Sequence, residues 1–364
     1  MYIKVLAIVA SVLFSVAAMP GFASGASGPS GVSGASGPTA TATQSKKPTG
    51  AYLYVLGVAQ DAGYPQAGCY QPHCMPGWQD PLLRRGATSI ALVDPAAKAK
   101  YLFEATPNLP AQLYDLEVQA PSAETPLAGI FLTHAHMGHY SGLMFLGHEA
   151  MGARSMPVYA MPRMQDYLST NGPWSQLVAY NNIVLRPLQH NVAVSLSRNI
   201  ASRNIAPRII APSDLAPNNI TSNDNKSKVT VTPFLVPHRD EFSETVGYLI
   251  AGANKSALFI PDINKWSIWE TDIAEIIQTV DYALLDATFF GDGELPGRDM
   301  SKVPHPLVTE TMEALAGLSA EHRNKLWFIH MNHTNPLLDA SSEEAALVRA
   351  AGFNVAVEGT RLPL

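Results

Sequence analysis

Three histidines, His134, His136 and His139, lie within six residues of one another. They directly follow the apolar run 128–132, which predicts a short buried strand, and precede residues 140–152, where apolar residues recur at helical intervals. His134 and His136 are two residues apart and point the same way while the chain is extended. Neutral imidazole is a common ligand of zinc and other first-row metals. This spacing predicts a metal site at the strand end, the alternative being a polar loop that contains histidines by chance.

Three other apolar segments, each predicted as a strand, also end in a side chain that can bind a metal. Those side chains are His238, Asp262 and His330. Four predicted strands therefore end in His, His, Asp and His, in that order along the chain. Layered α/β folds place their sites at strand ends and in the loops that follow them. The ordered set predicts one centre that is assembled from distant parts of the chain.

The elements that must position these side chains are indicated by the spacing of apolar residues. Strands are predicted at residues 52–58, 88–93, 100–105, 128–132, 157–160, 229–236, 246–251, 256–260, 281–285 and 326–329. Helices are predicted at residues 108–114, 140–152, 162–170, 266–279, 306–318 and 341–351. Runs of strands with interspersed helices favour an α/β fold in which two packed sheets are flanked by helices.

The N-terminal region is predicted to lie outside this fold. Residues 1–23 combine a basic residue, an apolar run and small residues up to Ala23, which is typical of an export signal. Residues 24–50 are rich in Gly, Ser, Ala and Pro and predict a disordered linker. The domain is predicted at 51–364, with a polar loop insertion at 190–228. The mature protein is thus predicted to be secreted or periplasmic without a membrane span, the alternative being an uncleaved anchor.

Composition limits the kinds of partner. The 364 residues are 47% hydrophobic and 15% charged, which is enough to bury a large core. The net charge of −6, without a run of Lys or Arg, gives no support for a nucleic-acid-binding surface. We therefore expect a small-molecule substrate and no nucleic acid. The oligomeric state is left open by the sequence.

The ordered set of ligands resembles the metallo-β-lactamase-fold superfamily, whose pattern is an HxHxDH cluster followed by a His, an Asp and a His. The resemblance extends from residue 51 to the C-terminus and implies an αββα sandwich of two mixed sheets. Within the superfamily, several segments resemble the family of coenzyme PQQ synthesis protein B. They are residues 60–66, 85–90, 284–288 and, above all, Ile329-His330-Met331-Asn332-His333-Thr334-Asn335-Pro336-Leu337-Leu338-Asp339.

The resemblance also implies how the ligands are divided. One metal would be held by His134, His136 and His238. A second would be held by His139 and His330, with Asp262 bridging the two. The implied cofactor is one or two Zn²⁺ ions, with iron or manganese as alternatives. Proteins of this fold use the metals to lower the pKa of bound water and to polarise the bond under attack, so one coordination position must stay open.

Gly138 departs from the superfamily pattern, because an Asp is expected at that position. The second site then lacks a carboxylate, so either its metal binds weakly or another group, such as His333, replaces the missing ligand. With Asp262 as the one carboxylate among the expected ligands, the site would stay cationic and could recruit an anionic substrate. His136 is present where the PQQ family has a different residue, which makes this site closer to that of a hydrolase.

Asp262 and His305 are the predicted catalytic residues. His305 precedes a predicted helix, and related hydrolases of this fold carry a His before a comparable helix that can donate a proton to the leaving group. The alternative is that His305 caps or packs against the helix. Asp286 follows the predicted strand 281–285, and we expect it either to orient a ligand histidine or to join the ligands itself.

Cys69 and Cys74 are the only cysteines. In the resembled family this loop carries three cysteines and looks like a structural zinc site, but the middle position here is Gln71. With His73 the loop offers three ligands, one short of the usual four. Export would favour a disulfide across these five residues. A disulfide, a structural metal site and free thiols therefore all remain open.

The leading hypothesis is an exported metal-dependent hydrolase that uses metal-activated water on an ester, lactone, amide or phosphodiester. A second hypothesis follows the closer resemblance and is an oxidative, iron-dependent role in the biosynthesis of pyrroloquinoline quinone. A third is a non-catalytic periplasmic carrier of a quinone or another anion.

Overall fold

The computed structural model describes residues 50–196 and 229–364. The predicted signal peptide 1–23, all but the last residue of the predicted linker 24–50, and residues 197–228 of the predicted insertion lie outside the described residues. Within the described residues no helix is both long enough and apolar enough to cross a bilayer.

Fourteen strands are found in the described part of the chain. They are β1 (Tyr52–Gly57), β2 (Ser89–Asp94), β3 (Ala99–Phe103), β4 (Leu127–Phe131), β5 (Met156–Ala160), β6 (Ile183–Pro187), β7 (Val194–Ser195), β8 (Thr230–Leu235), β9 (Val246–Ala251), β10 (Ser256–Ile260), β11 (Tyr282–Asp286), β12 (Leu326–Ile329), β13 (Asn354–Val355) and β14 (Arg361–Pro363). All ten predicted strands are present, with ends within two residues of the predicted ones. The described start of the predicted insertion contains β7, which pairs with β8.

The α-helices of the described residues are α1 (Met75–Gln79), α2 (Leu109–Gln119), α3 (Met137–Tyr140), α4 (Pro162–Thr170), α5 (Trp174–Ala179), α6 (Ile273–Thr279), α7 (Val308–Ala314), α8 (Ala320–Arg323) and α9 (Glu343–Ala350). Short 3-10 helices lie at Pro81–Leu83, Ser141–Leu146, Trp266–Ile268, Met300–Lys302 and Pro336–Leu338.

The strands form two seven-stranded sheets, one in the order β14-β1-β2-β3-β4-β5-β6 and the other in the order β13-β12-β11-β10-β9-β8-β7. In the first sheet, β3 to β6 are parallel, whereas β1, β2 and β3 alternate in direction. In the second sheet, β10 to β13 are parallel, whereas β8, β9 and β10 alternate. Both sheets are therefore mixed, as the sequence predicts.

The strand directions decide where loops meet. Strands β1, β3 and β4 run the same way in the first sheet, and β8, β10, β11 and β12 run the same way in the second. Their carboxyl ends therefore emerge at one edge of each sheet. This arrangement brings residues that follow different strands within reach of one another.

Aromatic side chains pack between the sheets. Phe131 stacks on Tyr159 at 4.3 Å and on Phe103 at 5.0 Å between ring centroids. Tyr248 of the second sheet meets both Phe103 and Phe131 edge-on. Helices α2, α4 and α5 bury Leu and Met side chains in a separate apolar cluster with strands of the first sheet, including β1, β3 and β4. Helices α6, α7 and α9 pack apolar residues into the cluster that contains the second sheet. The αββα sandwich is confirmed.

The helix predicted at 140–152 is wrong. The chain instead forms α3 and a 3-10 helix that ends at Leu146. The amide of Gly142 donates to the carbonyl of Ala105 at 2.8 Å, and a Cβ at Gly142 would lie 2.0 Å from the carbonyl oxygen of Thr106. Main-chain contacts with the end of β3 therefore replace continued α-helical hydrogen bonding.

The helix predicted at 266–279 is divided in two. The Asp272 side chain accepts a hydrogen bond from the amide of Ala274 at 2.8 Å, so α6 begins only after Asp272. The helix predicted at 306–318 is also shorter than expected, since α7 covers Val308–Ala314.

Phe131 is fully buried between aromatic rings of both sheets. We expect Phe131→Ala to lower the free energy of unfolding by about 3–5 kcal/mol, because it leaves a cavity in the core. Denaturant unfolding followed by circular dichroism measures the change. Tyr114→Ala is the control, since Tyr114 is 73% exposed on α2 and its loss should change stability by less than about 0.5 kcal/mol. Equal effects of the two substitutions would contradict this account of the core.

Candidate metal centre

The predicted ligands all lie at the strand edge described above. His134 follows β4, and His136 and His139 lie at the start and within the single turn of α3. His238 follows β8, and Asp262 follows β10. His330 directly follows β12 and adopts a left-handed backbone with φ of +70°. The centre is thus assembled from both sheets.

Four side chains converge in the first half of the centre. His134 Nε2 lies 2.8 Å from His136 Nδ1 and 3.3 Å from Asp262 Oδ2. His238 Nε2 lies 3.2 Å from each of the same two atoms. One ligand atom from each of these four residues lies within 4.8 Å of all the others. Three imidazole nitrogens and one carboxylate oxygen form a set that suits zinc and other first-row metals.

Three side chains converge in the second half. Asp61 Oδ1 lies 3.5 Å from His139 Nε2 and 3.6 Å from His330 Nε2. Asp262 Oδ2, which faces the first set, lies 3.7 Å from His139 Nε2. Asp262 therefore stands between the two sets, in the place that the resemblance to the superfamily implies for a bridging ligand.

Each of the five histidines has a polar side-chain atom within 3.5 Å of its other ring nitrogen. The contacts are His134 Nδ1 to Thr133 Oγ1 at 2.9 Å, His136 Nε2 to Glu241 Oε2 at 3.1 Å, His139 Nδ1 to Glu104 Oε1 at 3.5 Å, His238 Nδ1 to Asn264 Oδ1 at 3.1 Å and His330 Nδ1 to Thr288 Oγ1 at 3.0 Å. Such partners orient metal-binding imidazoles and fix which nitrogen faces the ion. The arrangement is the one expected of a metal centre.

Two of the buried nitrogens that lack a hydrogen-bond partner among the described residues face the second half of the centre. They are His139 Nε2 and His330 Nε2. A buried polar atom without a partner is costly, and most such atoms in folded proteins are satisfied. A cation between these nitrogens and Asp61 would satisfy both, so the residues fit a metal ion.

Burial and neighbouring charges set the protonation of the ligands. Burial lowers the pKa of His134 well below its usual value, and the nearby His139 lowers it further, so the imidazole is neutral and has a free lone pair. Burial acts to raise the pKa of Asp262, but His305 and His238 hold it well below its usual value. Partial burial also opposes ionisation of Asp61, yet His139 and His330 hold its pKa low. Both aspartates are therefore carboxylates.

His305 lies between two carboxylates. Its Nδ1 is 2.9 Å from Asp286 Oδ2 and 3.1 Å from Asp262 Oδ1. Burial acts to lower the pKa of His305, but Asp286 and Asp262 raise it to about 10. His305 does not cap the following helix, because Leu307 is the N-cap of α7. The structure thus brings His305 to the centre, next to the expected bridging ligand.

Asp286 lies behind the expected ligands. Its Oδ1 accepts hydrogen bonds from the amide and the hydroxyl of Thr288, and that hydroxyl in turn contacts His330 Nδ1. Its Oδ2 also accepts from the amide of Ile263, next to Asp262. These contacts suit a residue that orients His305 and His330. A carboxylate oxygen of Asp286 also lies within 4.8 Å of ligand atoms of Asp262 and His330, so both expected roles of Asp286 stay open.

Three carboxylates of the site were not predicted as site residues. Asp61 lies in the loop after β1, Glu104 directly follows β3, and Glu241 lies in the loop after β8. Asp61 and Glu104 share the signal that identified Asp262, a carboxylate after a buried strand. Glu104 is fully buried, and its backbone lies in the left-handed region with φ of +78°. No sequence signal distinguishes Glu241 from other loop carboxylates.

His333 lies at a separate cluster with both cysteines. Cys69 Sγ is 3.4 Å from His73 Nε2, and the rings of His73 and His333 are 5.4 Å apart. One ligand atom from each of Cys69, His73, Cys74 and His333 lies within 4.8 Å of the others. His333 therefore lies with the cysteine loop, and the carboxylate beside both His139 Nε2 and His330 Nε2 is that of Asp61.

The two cysteines are free thiols in this structure, so the disulfide, one of the three alternatives left open by the sequence, is not formed. Burial raises the pKa of Cys74 to about 11, which disfavours a reactive thiolate. His333 would supply the fourth ligand that the local sequence lacks, and two thiols with two imidazoles match the composition of many structural zinc sites. Of the alternatives left open by the sequence, the geometry favours a structural metal.

Known proteins share this fold. The family described as "Beta-lactamase superfamily domain" matches residues 99–331. Coenzyme PQQ synthesis protein B of Methylobacterium sp. (strain 4-46) is 26% identical over 335 residues, covering 85% of this chain and 99% of that protein. The same protein of Xanthomonas campestris pv. campestris (strain B100) is 24% identical over 336 residues, covering 86% and 99%. The predicted resemblance to this group is confirmed.

Two solved structures show the same architecture. Zn(2+)-bound PqqB from Methylobacterium extorquens superposes with a TM-score of 0.65 at 23% identity, covering 86% of this chain and 100% of that one. A diphosphatase from the PhnP family superposes with a TM-score of 0.53 at 19% identity, covering 86% and 98%. At these identities the likeness concerns the fold.

Asn264 holds His238 from outside the centre. We expect Asn264→Ala to weaken zinc binding at the first half by roughly 10–100-fold, because the imidazole loses its orienting contact. Competition with a chelating dye measures the affinity. Asn171→Ala is the matched control, since Asn171 lies at the exposed end of α4. Unchanged zinc affinity in Asn264→Ala would contradict the orienting role.

Proposed function

The chain belongs to the beta-lactamase superfamily, and from this premise we propose that it is an exported metal-dependent hydrolase of small anionic esters, with phosphodiesters foremost. The observation that carries the proposal is the convergence of His134, His136 and His238 on Asp262. The N-terminal sequence supports export. The expected metal is zinc.

The residues of the site form two sets of metal ligands. His134, His136, His238 and Asp262 would hold one ion, and His139 and His330 would hold a second with Asp262. Bound metal supplies the chemistry of this fold by lowering the pKa of a coordinated water and polarising the scissile bond. Asp61 and Asp262 balance only part of the charge of two divalent ions. Glu104, Glu241 and Asp286 add negative charge behind the histidines. Positive potential would therefore be confined to the face of the ions that the substrate meets, which favours an anionic group there.

His305 would act on the leaving group as a general acid. Asp286 holds its Nδ1 through the 2.9 Å contact, which leaves Nε2 as the nitrogen with a transferable proton. Asp286 is fixed in turn by the amides of Ile263 and Thr288, so the imidazole is held in one orientation. A positioned acid of this kind speeds departure of a poor leaving group.

The first test separates binding from proton transfer. We expect His134→Ala to abolish hydrolysis of a model phosphodiester by the zinc-loaded protein. His305→Asn should lower kcat by about 10²–10⁴-fold for an alkyl leaving group, and much less for p-nitrophenolate, which needs no protonation. Steady-state kinetics with the two substrates measures both effects.

His148→Ala is the control, since His148 is exposed and contacts Tyr180 rather than the centre. Full activity of His134→Ala would overturn the proposed function. Equal losses for both leaving groups in His305→Asn would leave the hydrolase standing but remove the acid role of His305.

An oxidative function is the second candidate, and two observations favour it. Asp61, His139 and His330 form a set of two histidines and one carboxylate, a composition typical of non-haem iron oxygenases. The similarity to coenzyme PQQ synthesis protein B points the same way.

The oxidative candidate predicts oxygen consumption. Protein loaded anaerobically with Fe²⁺ should consume O₂ when a substrate of the quinone-forming class is added, and an oxygen electrode measures the rate. The zinc-loaded protein is the control. Phosphodiester hydrolysis with zinc, without oxygen uptake with iron, would exclude this candidate.

A further inference from the structure

We infer that Asp61 is the carboxylate ligand of the second half of the centre, replacing the one that Gly138 lacks, and that position 138 must be glycine because the loop with Asp61 fills the space of a side chain there. The inference rests on the proposed function, since it assumes a centre for two metal ions. It assigns a ligand that the histidine motif does not contain.

The steric relation between the two positions is direct. A Cβ at Gly138 would lie 2.6 Å from Asp61 Cα, 2.7 Å from the Asp61 carbonyl oxygen and 2.7 Å from Asp61 Oδ1. Two of these three atoms belong to the main chain, so no side-chain rotation relieves the contact. An aspartate at position 138 and the present loop after β1 therefore exclude one another.

The Asp61 carboxylate faces the ring nitrogens of both histidines in the second half of the centre. Asp61 Oδ1 lies at nearly equal distances, 3.5 Å and 3.6 Å, from His139 Nε2 and His330 Nε2. Both nitrogens belong to side chains that are at most 2% exposed, and neither has a hydrogen-bond partner among the described residues. An ion between the three atoms would give each nitrogen a partner.

The loop is anchored to the strand that carries the opposite ligand. The amide of Gln60 donates to the carbonyl of Met331 at 2.7 Å, and the amide of Met331 donates to the carbonyl of Val58 at 2.9 Å. These bonds join the residues next to Asp61 and His330. The position of the carboxylate relative to the imidazole is thus set by the main chain.

Asp61 also differs from the other expected ligands in exposure. Its side chain is 51% exposed, whereas that of Asp262 is 3% exposed. The second half of the centre therefore opens towards solvent on the side of the β1 loop. Substrate would approach the second ion from that side.

Metal titration tests the assignment without any use of activity. Equivalents are counted at the histidine centre, apart from the ion expected at Cys69, His73, Cys74 and His333. Wild type should bind two such equivalents of Zn²⁺ in calorimetric titration, and elemental analysis after dialysis should find three ions in all. Asp61→Asn keeps the shape and removes the charge, so the second equivalent should bind at least roughly tenfold more weakly while the first is unchanged. Asp61→Glu keeps the charge and should retain more of the second equivalent than Asp61→Asn does.

Two further variants sharpen the result. Gly138→Ala removes no ligand atom but displaces the loop, so it should also weaken the second equivalent. Glu241→Gln makes the same chemical change as Asp61→Asn at a carboxylate that contacts His136, and it should weaken the first equivalent instead. Far-ultraviolet circular dichroism and thermal unfolding of the metal-free variants identify any that fail to fold.

The assignment is overturned if Asp61→Asn binds two equivalents with wild-type affinities. It is also overturned if wild type and Asp61→Asn both bind a single equivalent equally well. Neither result affects the proposed hydrolase activity, which is tested separately by phosphodiester hydrolysis in His134→Ala. If the wild-type protein bound no zinc at the histidine centre, the proposed function itself would be excluded.

Discussion

One buried carboxylate organises the site. Asp262 is 3% exposed, and its oxygens lie between 3.1 Å and 3.9 Å from nitrogens of His134, His136, His139, His238 and His305. Burial of an unpaired carboxylate would cost several kcal/mol, so its place depends on these neighbours. The imidazoles depend on it in turn, since it is the acidic group shared by both halves of the centre.

The topology explains why these neighbours meet. Seven strands with the same direction within their sheets end at the site, and each loop that follows them needs to project only a short distance. The sequence shows this arrangement in part, because a strand and the polar residue that ends it are local features. His134, His136, His238, Asp262 and His330 could therefore be predicted. Their convergence required only that the sheets pack as the resemblance implied.

The remaining residues of the site depend on contacts that are not local. The loop after β1 folds back over α3. This contact explains both why Asp61 lies at the site and why position 138 has no room for a side chain. His330 and His333 are three residues apart, yet they face different clusters, because the chain turns at the left-handed His330. The prediction of a helix at 140–152 was wrong for a similar reason. Main-chain contacts with the residues that follow β3 are not visible in the sequence, and they override the helical spacing of the apolar residues.

The left-handed backbone at Glu104 and His330 has a thermodynamic consequence. A non-glycine residue in that region is less stable by roughly 1–2 kcal/mol than in the right-handed region. Glycine at either position would relieve that strain and would also delete the carboxylate behind His139 or the imidazole of the second half. Stability and the chemistry of the site therefore have opposite requirements at these two positions. Selection for thermal stability alone would favour glycine at positions 104 and 330, and these substitutions would inactivate the protein.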